Sequence, residues 1–297
     1  MSSPNAPSDT LLTAGFSGKT VIVTGGAGGL GKAYVRAYLR AGANVVVNDR
    51  GTDLSGEGSD ASIVASLEAT LLGEFGETVR SRMLFDTSDV GTAEGAAELL
   101  KKTETAFGVP HALVTSAGAL RDKPFLKMGP DDLEAVLHAT FRTTFHATQA
   151  FARLVVPTKK PARIVNTLSM SAFSGSLAQS NFSAANAAIL GLMRTASIEL
   201  QKHRITVNAV APLAKTRMTE TLPMFHSVDT LTPEHVVPAV FYLSSDLVGD
   251  RTGYVLAVAG SRMYSLRTVE SHGRFKEEAG GLWTPEEIQD HWSSIVK

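Results

Sequence analysis

The sequence predicts an α/β fold: a doubly wound parallel sheet with helices on both faces. Three observations carry that expectation. Short β-branched runs alternate with helical stretches along most of the chain. The runs are apolar almost throughout, as in Val45-Val46-Val47, which suits strands buried on both faces. The turn after the first run, at 24–31, is rich in glycine and opens straight into a helix.

About seven strands are expected, at 20–24, 44–48, 82–85, 112–115, 163–167, 206–210 and 255–258. Helices are expected between them, at 30–41, 61–75, 93–107, 131–154, 181–203 and 233–243. Gly42 and Gly108 suit the position just past a helix end, and Thr232-Pro233-Glu234 reads as an N-cap followed by proline. No internal repeat or long linker interrupts the rhythm, so residues 15–264 read as one domain. Residues 1–14, rich in Ser, Pro, Asn and Asp, read as a disordered lead. Residues 213–232 read as an irregular substrate lid. Residues 265–297 read as a polar tail whose last helix starts at Thr284-Pro285-Glu286-Glu287 and packs through Ile288, Trp292 and Ile295.

Composition narrows the function classes. A net charge of −1 over 297 residues gives no electrostatic reason to expect nucleic acid or an anionic membrane as partner. With no cysteine, disulfides, thiolate catalysis and cysteine metal sites are excluded, and no metal is expected. No apolar run approaches the roughly 18–20 residues that cross a bilayer. The N-terminus lacks a basic, then apolar, secretory pattern, and the C-terminal Ser-Ile-Val-Lys is not a peroxisomal tripeptide. The expected location is the cytoplasm.

The stretch TGGAGGLG at 24–31 carries the clearest chemistry. Gly25 makes the tight turn, Gly29 lets backbone amides approach a pyrophosphate, and Gly31 lets the helix pack on the strand, with Gly28 and Leu30 in the same cradle. Asp49 closes the second strand, 18 residues after Gly31. A carboxylate there accepts hydrogen bonds from an adenosine ribose diol and repels a 2′-phosphate, which favours NAD. Arg50 beside it is a group that binds a 2′-phosphate, so NADP stays open.

The spacing TGxxxGxG is similar to that of the short-chain dehydrogenase/reductase family. The resemblance runs over nearly the whole chain and is strongest to the branch of (3R)-hydroxyacyl-CoA dehydrogenase modules in peroxisomal multifunctional enzymes of type 2. It rests on VVNDRGTDLSGEGSDA at 46–61, LRDKPF at 120–125, NFSAANAAILGL at 181–192, ITVNAVAP at 205–212, RMTETL at 217–222 and WTPEEIQDHWSSI at 283–295. The resemblance implies a Rossmann-type fold and a small-molecule substrate. It implies that Asp89 and Val90 flank the adenine, with Asp86 as an alternative register. Ser116, Ala117 and Gly118 of TSAG would line the cofactor ribose, and Pro212 and Thr216 would cover the nicotinamide carboxamide. It also implies a homodimer or homotetramer through the helices at 131–154 and 181–203.

The family's chemistry needs a tyrosine that moves a proton, a lysine that lowers its pKa, a serine that polarises the same oxygen, and an asparagine that holds a relay water. The matching positions here are Phe182, Asn186, Ser169 and Thr140. Phenylalanine keeps the ring and loses its only ionisable atom. Asn186 keeps hydrogen-bonding capacity, enough to meet a ribose hydroxyl, but no charge. Replacement groups are few. Asp122 and Lys123 follow the fourth strand, His226 and Asp229 sit in the lid, and Ser171 and Ser183 lie close to the family positions. His138 and His146 fall on a helix where packing is the expectation. Met170, Phe173, Met218, Met224 and Phe225 are candidates for an apolar lining.

Three functions follow as expectations. The first is non-redox chemistry in a repurposed pocket (cyclisation, isomerisation, dehydration or a pericyclic step) on a small apolar biosynthetic intermediate of secondary metabolism. The second is an NAD(P)-dependent oxidoreductase on a hydroxyacyl or ketone substrate, using a substitute acid such as Asp122. The third is a catalytically silent dinucleotide-binding partner protein.

Overall fold

The structure, a computed structural model, describes residues 15–220, 230–276 and 280–297. In chain order the main elements are β1 (Thr20–Thr24), α1 (Gly29–Arg40), β2 (Asn44–Asn48), α2 (Ala61–Phe75), β3 (Met83–Asp86), α3 (Ala93–Phe107) and β4 (Ala112–Thr115). There follow α4 (Pro130–Val136), α5 (Thr143–Val155), β5 (Ala162–Thr167), the short α6 (Ser171–Ser174), α7 (Ser180–Gln201), β6 (Ile205–Leu213) and α8 (Val237–Ser244). The series closes with β7 (Val255–Ala259), β8 (Arg262–Leu266) and α9 (Pro285–Ile295).

The described strands form one sheet in the order 3-2-1-4-5-6-7-8, parallel from β3 through β7. The fold is thus the doubly wound α/β sheet that the alternating pattern predicts. Because the order reverses between β1 and β4, the carboxyl ends of these two strands diverge and open a crevice. Helices α1, α2 and α8 bury one face, where Phe16, Tyr38 and Phe241 form an aromatic cluster with ring centroids 4.5–5.0 Å apart. Helices α3, α5 and α7 cover the other face. Val21, Val23, Val45, Val47 and Val114 are fully buried in the first of these layers, as β-branched runs covered on both sides should be.

Four features depart from the sequence expectation. An eighth strand, β8, extends the sheet at its edge; its exposed, mixed Arg-Met-Tyr-Ser-Leu lacks an apolar alternation, and only Gly260 at φ +58° marks the turn into it. The helix expected at 131–154 is interrupted by a π-helical turn over Leu137–Arg142. There the Thr143 and Thr144 hydroxyls donate to the Ala139 and Thr140 carbonyls, a competition that disturbs the regular helical ladder. Strand β6 runs past its expected end at 210 to Leu213, so Pro212 pairs with Val258 in the sheet and Leu213, the first residue of the expected lid, pairs with Ala259. Finally, α9 forms where its Thr284/Glu287 capping box starts it, yet none of its residues is buried, and Ile288 and Trp292 are 39% and 59% exposed. The apolar packing expected of it is replaced by the Lys276–Glu287 ion pair at 2.7 Å and an edge contact of Trp283 on His291.

The chain divides into two compact units at Ser265/Leu266. The lead at 1–14 and the central part of the proposed lid, 221–229, lie outside the described residues. Among the described residues no helix is long and apolar enough to cross a membrane, and no cluster of His, Asp and Glu is arranged to hold a metal ion.

Candidate functional site

The crevice at the β1/β4 divergence is an open cleft of about 990 Å³, part of it open to solvent. Its floor is the glycine turn. Gly25 adopts φ +65°, and a Cβ there would lie 2.6 Å from the Ala117 amide nitrogen. A Cβ on Gly31 would fall on the Gly25 carbonyl, and one on Gly29 would lie 2.9 Å from the Thr216 side chain. Gly25 and Gly31 are therefore packed against backbone and Gly29 against the Thr216 side chain, leaving no room for a Cβ at these positions. Gly28 caps α1 with no side-chain hydrogen bond, so the first-turn N–H groups and the positive end of the helix dipole face the cleft. This is a cradle built for an anion, and a dinucleotide pyrophosphate fits it.

At the far end Asp49 is fixed by two backbone donors: Ala27 N–H at 3.0 Å and Gly51 N–H at 2.8 Å. Arg50, Asp89 and His138 stand beside it. Arg50 Nη1 donates to Asp89 Oδ2 at 2.8 Å, and His138 Nε2 lies 3.0 Å from the same oxygen. Burial pushes the Asp89 carboxyl up, but the Gly91 amide, His138 and Arg50 together outweigh it and hold it below the usual carboxylate range. Val90 lines the cleft with Asp89. Asp86, the alternative register, does not: it is buried and occupied by Asn48 Nδ2, the Ser88 amide and hydroxyl, and Lys102 Nζ at 2.7–3.0 Å.

Of the other predicted cofactor contacts, Gly25, Gly28, Gly29, Leu30, Asp49, Arg50, Ser116, Ala117, Gly118 and Thr216 line the cleft. Gly31, Pro212 and Asn186 do not. Met218 lines it too, whereas Met224, Phe225, His226 and Asp229 lie outside the described residues. His138, expected to serve packing, instead faces the cleft, because its partner Asp89 comes from a loop 49 residues earlier. His146 keeps the packing position, edge-on to Phe145.

One wall of the cleft is not among the residues expected from the sequence. Thr52, Asp53, Leu54 and Gly56, from the glycine-rich insert after Asp49, also line the cleft. The Asp53 carboxylate ties the insert into a turn through Ser55 N–H, Ser55 Oγ and Glu57 N–H. Arg121 clamps the insert to the loop after β4, reaching the Ser55 carbonyl at 2.9 Å and Glu57 at 2.6 Å. A run of glycines so close after Asp49 was the available signal.

Ser169, Phe182 and Asn186, expected from the resemblance at catalytic positions, meet where β5 ends and α7 begins. Asn186 is 2% exposed, and both ends of its amide are engaged: Oδ1 accepts from the Ser169 amide at 2.7 Å, and Nδ2 donates to the Phe182 carbonyl at 2.8 Å. The side chain thus staples the strand end to the helix, and the ribose contact expected of it gives way to that role. Ser169 Oγ accepts from the Ser171 amide at 3.2 Å. Thr140, in the π turn, accepts from the Ala119 amide at 3.3 Å. The Ser171 and Ser183 hydroxyls are buried without a hydrogen-bond partner. Tyr264 places its hydroxyl 3.9 Å from the Met170 sulfur. Asp122 is exposed and accepts from Gln179 Nε2, while Lys123 is paired with Asp132 at 2.8 Å.

A family model described as short chain dehydrogenase matches residues 19–225. This chain belongs to the short-chain dehydrogenase family. A crystal structure of a short chain dehydrogenase from Mycobacterium avium superposes with a TM-score of 0.80 at 33% identity, covering 95% of each chain. Peroxisomal multifunctional enzyme type 2 of Mus musculus is 33% identical over 280 residues, 94% of this chain but 37% of that enzyme, so the chain spans little more than a third of it. A hydroxyacyl-CoA dehydrogenase of Mycobacterium tuberculosis is 30% identical over 94% of this chain and 89% of its own length. Short-chain dehydrogenases bind NAD or NADP, and the glycine turn at 25–31, closed to a Cβ at Gly25, Gly29 and Gly31, suits that group.

Proposed function

We propose that the chain binds a nicotinamide dinucleotide, NAD in preference to NADP, and that its pocket carries out a reaction other than the family's hydride transfer. The reaction class is cyclisation, isomerisation, dehydration or a pericyclic step on a small apolar biosynthetic intermediate. One observation carries the reading: the positions that should move the proton hold Phe182 and Asn186, and the Asn186 amide is turned onto Ser169 and Phe182. A bound dinucleotide gives or takes a hydride, but a carbonyl reduction also needs a proton donor. A positioned donor is worth about 10²–10⁴ in rate. None of Ser169, Phe182, Asn186 and Thr140 ionises near neutrality. What these residues can do is position a substrate through shape and hydrogen bonding.

The relatives named dehydrogenases favour a second reading, a redox enzyme on a hydroxyacyl or ketone substrate with Asp122 or water as acid. The two separate at 340 nm. Purified chain mixed with NAD(H) or NADP(H) and a panel of 3-hydroxyacyl-CoA and ketone substrates should give no absorbance change. Turnover of the unaltered chain at that wavelength would sink the non-redox reading. The double variant Phe182→Tyr/Asn186→Lys should gain hydride transfer. Conversion of no substrate by either protein would instead support a silent partner role. A homodimer or homotetramer built on α4, α5 and α7, in the cytoplasm, completes the proposal; light scattering on the purified chain tests the assembly.

A further inference from the structure

The adenosine end of the cleft holds one arginine between two carboxylates. Asp49 is oriented by the Ala27 and Gly51 amides. Arg50, next in sequence, turns away from Asp49 and pairs with Asp89 at 2.8 Å, its second amino group lying 3.5 Å from the Gly58 carbonyl. Asp89 is itself held from behind: Oδ1 accepts from the Gly91 amide at 2.9 Å, and His138 Nε2 lies within 3.2 Å of both oxygens. Guanidinium is the side-chain group best matched to a phosphate, because its planar fork donates two parallel hydrogen bonds. Here one arm of that fork, Nη1, is bonded to a carboxylate that the Gly91 amide and His138 also hold, and the other arm, Nη2, lies 3.5 Å from the Gly58 carbonyl. The other cleft-lining cation, Arg217, follows Thr216 at the glycine-turn end.

We propose that Asp89 sets the nucleotide preference of this cleft: by clamping Arg50 it keeps the one suitable cation from a ribose 2′-phosphate, so the site rejects NADP. The proposal rests on the dinucleotide reading above. It places the discriminating residue not only at the end of β2, where Asp49 repels the phosphate, but also in the loop after β3, where Asp89 withholds the compensating charge. Arg50 beside Asp49 alone would leave the preference open; the ion pair closes it.

The test uses binding alone, with 5′-AMP and 2′,5′-ADP titrated against the full chain by calorimetry. The quantity read is the ratio of their affinities. Asp89→Asn should raise the affinity for 2′,5′-ADP relative to 5′-AMP by about tenfold, the range expected of a freed charge-assisted contact. Arg50→Ala in the unaltered background should move the ratio by less than about twofold, because a clamped arginine gives a phosphate nothing. The pair Arg50→Ala/Asp89→Asn should lose the gain. Asp89→Ser, checked by thermal melting alongside, serves if the asparagine variant does not fold. An unchanged ratio in both Asp89 variants overturns the inference, as does a gain that survives without Arg50. So does a large drop in the ratio on Arg50→Ala alone. An unaltered chain that binds neither nucleotide overturns the dinucleotide reading and this inference with it, whereas AMP binding with an unmoved ratio overturns the inference only.

Discussion

Asn186 shows how far one side chain can change the meaning of a site. Its amide, 2% exposed, satisfies the part-buried Ser169 N–H at 2.7 Å. Asn186→Ala should therefore destabilise the chain by about 1–3 kcal/mol, the cost of deleting a buried amide and leaving the Ser169 donor without its protein partner, measured as a lower urea midpoint with an unchanged slope. The identities of Phe182, Asn186 and Ser169 were legible in the sequence, because their spacing sits on a motif. What Asn186 holds was not, since residue type gives hydrogen-bonding capacity and not partners. His138 makes the same point in reverse: on its helix it looks like packing, and only the Asp89 loop, brought in by the sheet order, turns it toward the cleft.

At the scale of elements, the insert after Asp49 acts as a strap over the cleft, drawn down by Arg121 and by the Leu120 amide on the Leu54 carbonyl at 2.8 Å. Freeing it should loosen the wall without touching the glycine cradle. Arg121→Ala is expected to weaken dinucleotide binding by about threefold to tenfold, the strap having to be ordered on binding, with little change in melting temperature; calorimetry and a thermal melt check both halves. Strands β1, β2 and β4 were legible to the residue because both faces are apolar. Strand β8 was not, because an exposed edge strand carries neither alternation nor a continuous apolar run. The π turn escaped for a different reason: its threonines rearrange the helix through their own hydroxyls, an effect that hydrophobic periodicity does not register.

Across the whole molecule the sheet separates two kinds of residue. The cleft lies at the carboxyl ends of the strands, while His111 enters β4 at its amino end among Lys19, Arg163 and Asp246. Burial, aided by the neighbouring Lys19 and Arg163 charges, pushes the His111 pKa from 6.5 down to about 4. The unfolded chain therefore binds more protons than the folded chain between these two values. Stability is fully present above about pH 6.5 and falls as pH drops toward 4, by about 3 kcal/mol at most. Guanidinium unfolding at pH 7 and pH 5 should show the loss, and His111→Asn should flatten it. Acid effects on Asp246, held low first by its hydrogen bond from Lys19, belong to a lower pH range. The fold class and the switch-point cleft were legible at this scale from strand rhythm and one glycine turn. The charge cluster at the opposite edge was not, because its members are scattered from Lys19 to Asp246.

The Asn186 staple also imposes an order on any mutational path back to hydride chemistry. A lysine installed first at 186 would bring an ammonium into a nearly closed space with no phenol to serve, and would unseat the Ser169 amide as it arrived. A tyrosine installed first at 182 adds one oxygen to a ring whose position the helix already fixes. On the proposed reading the two changes are therefore ordered, with the hydroxyl before the cation.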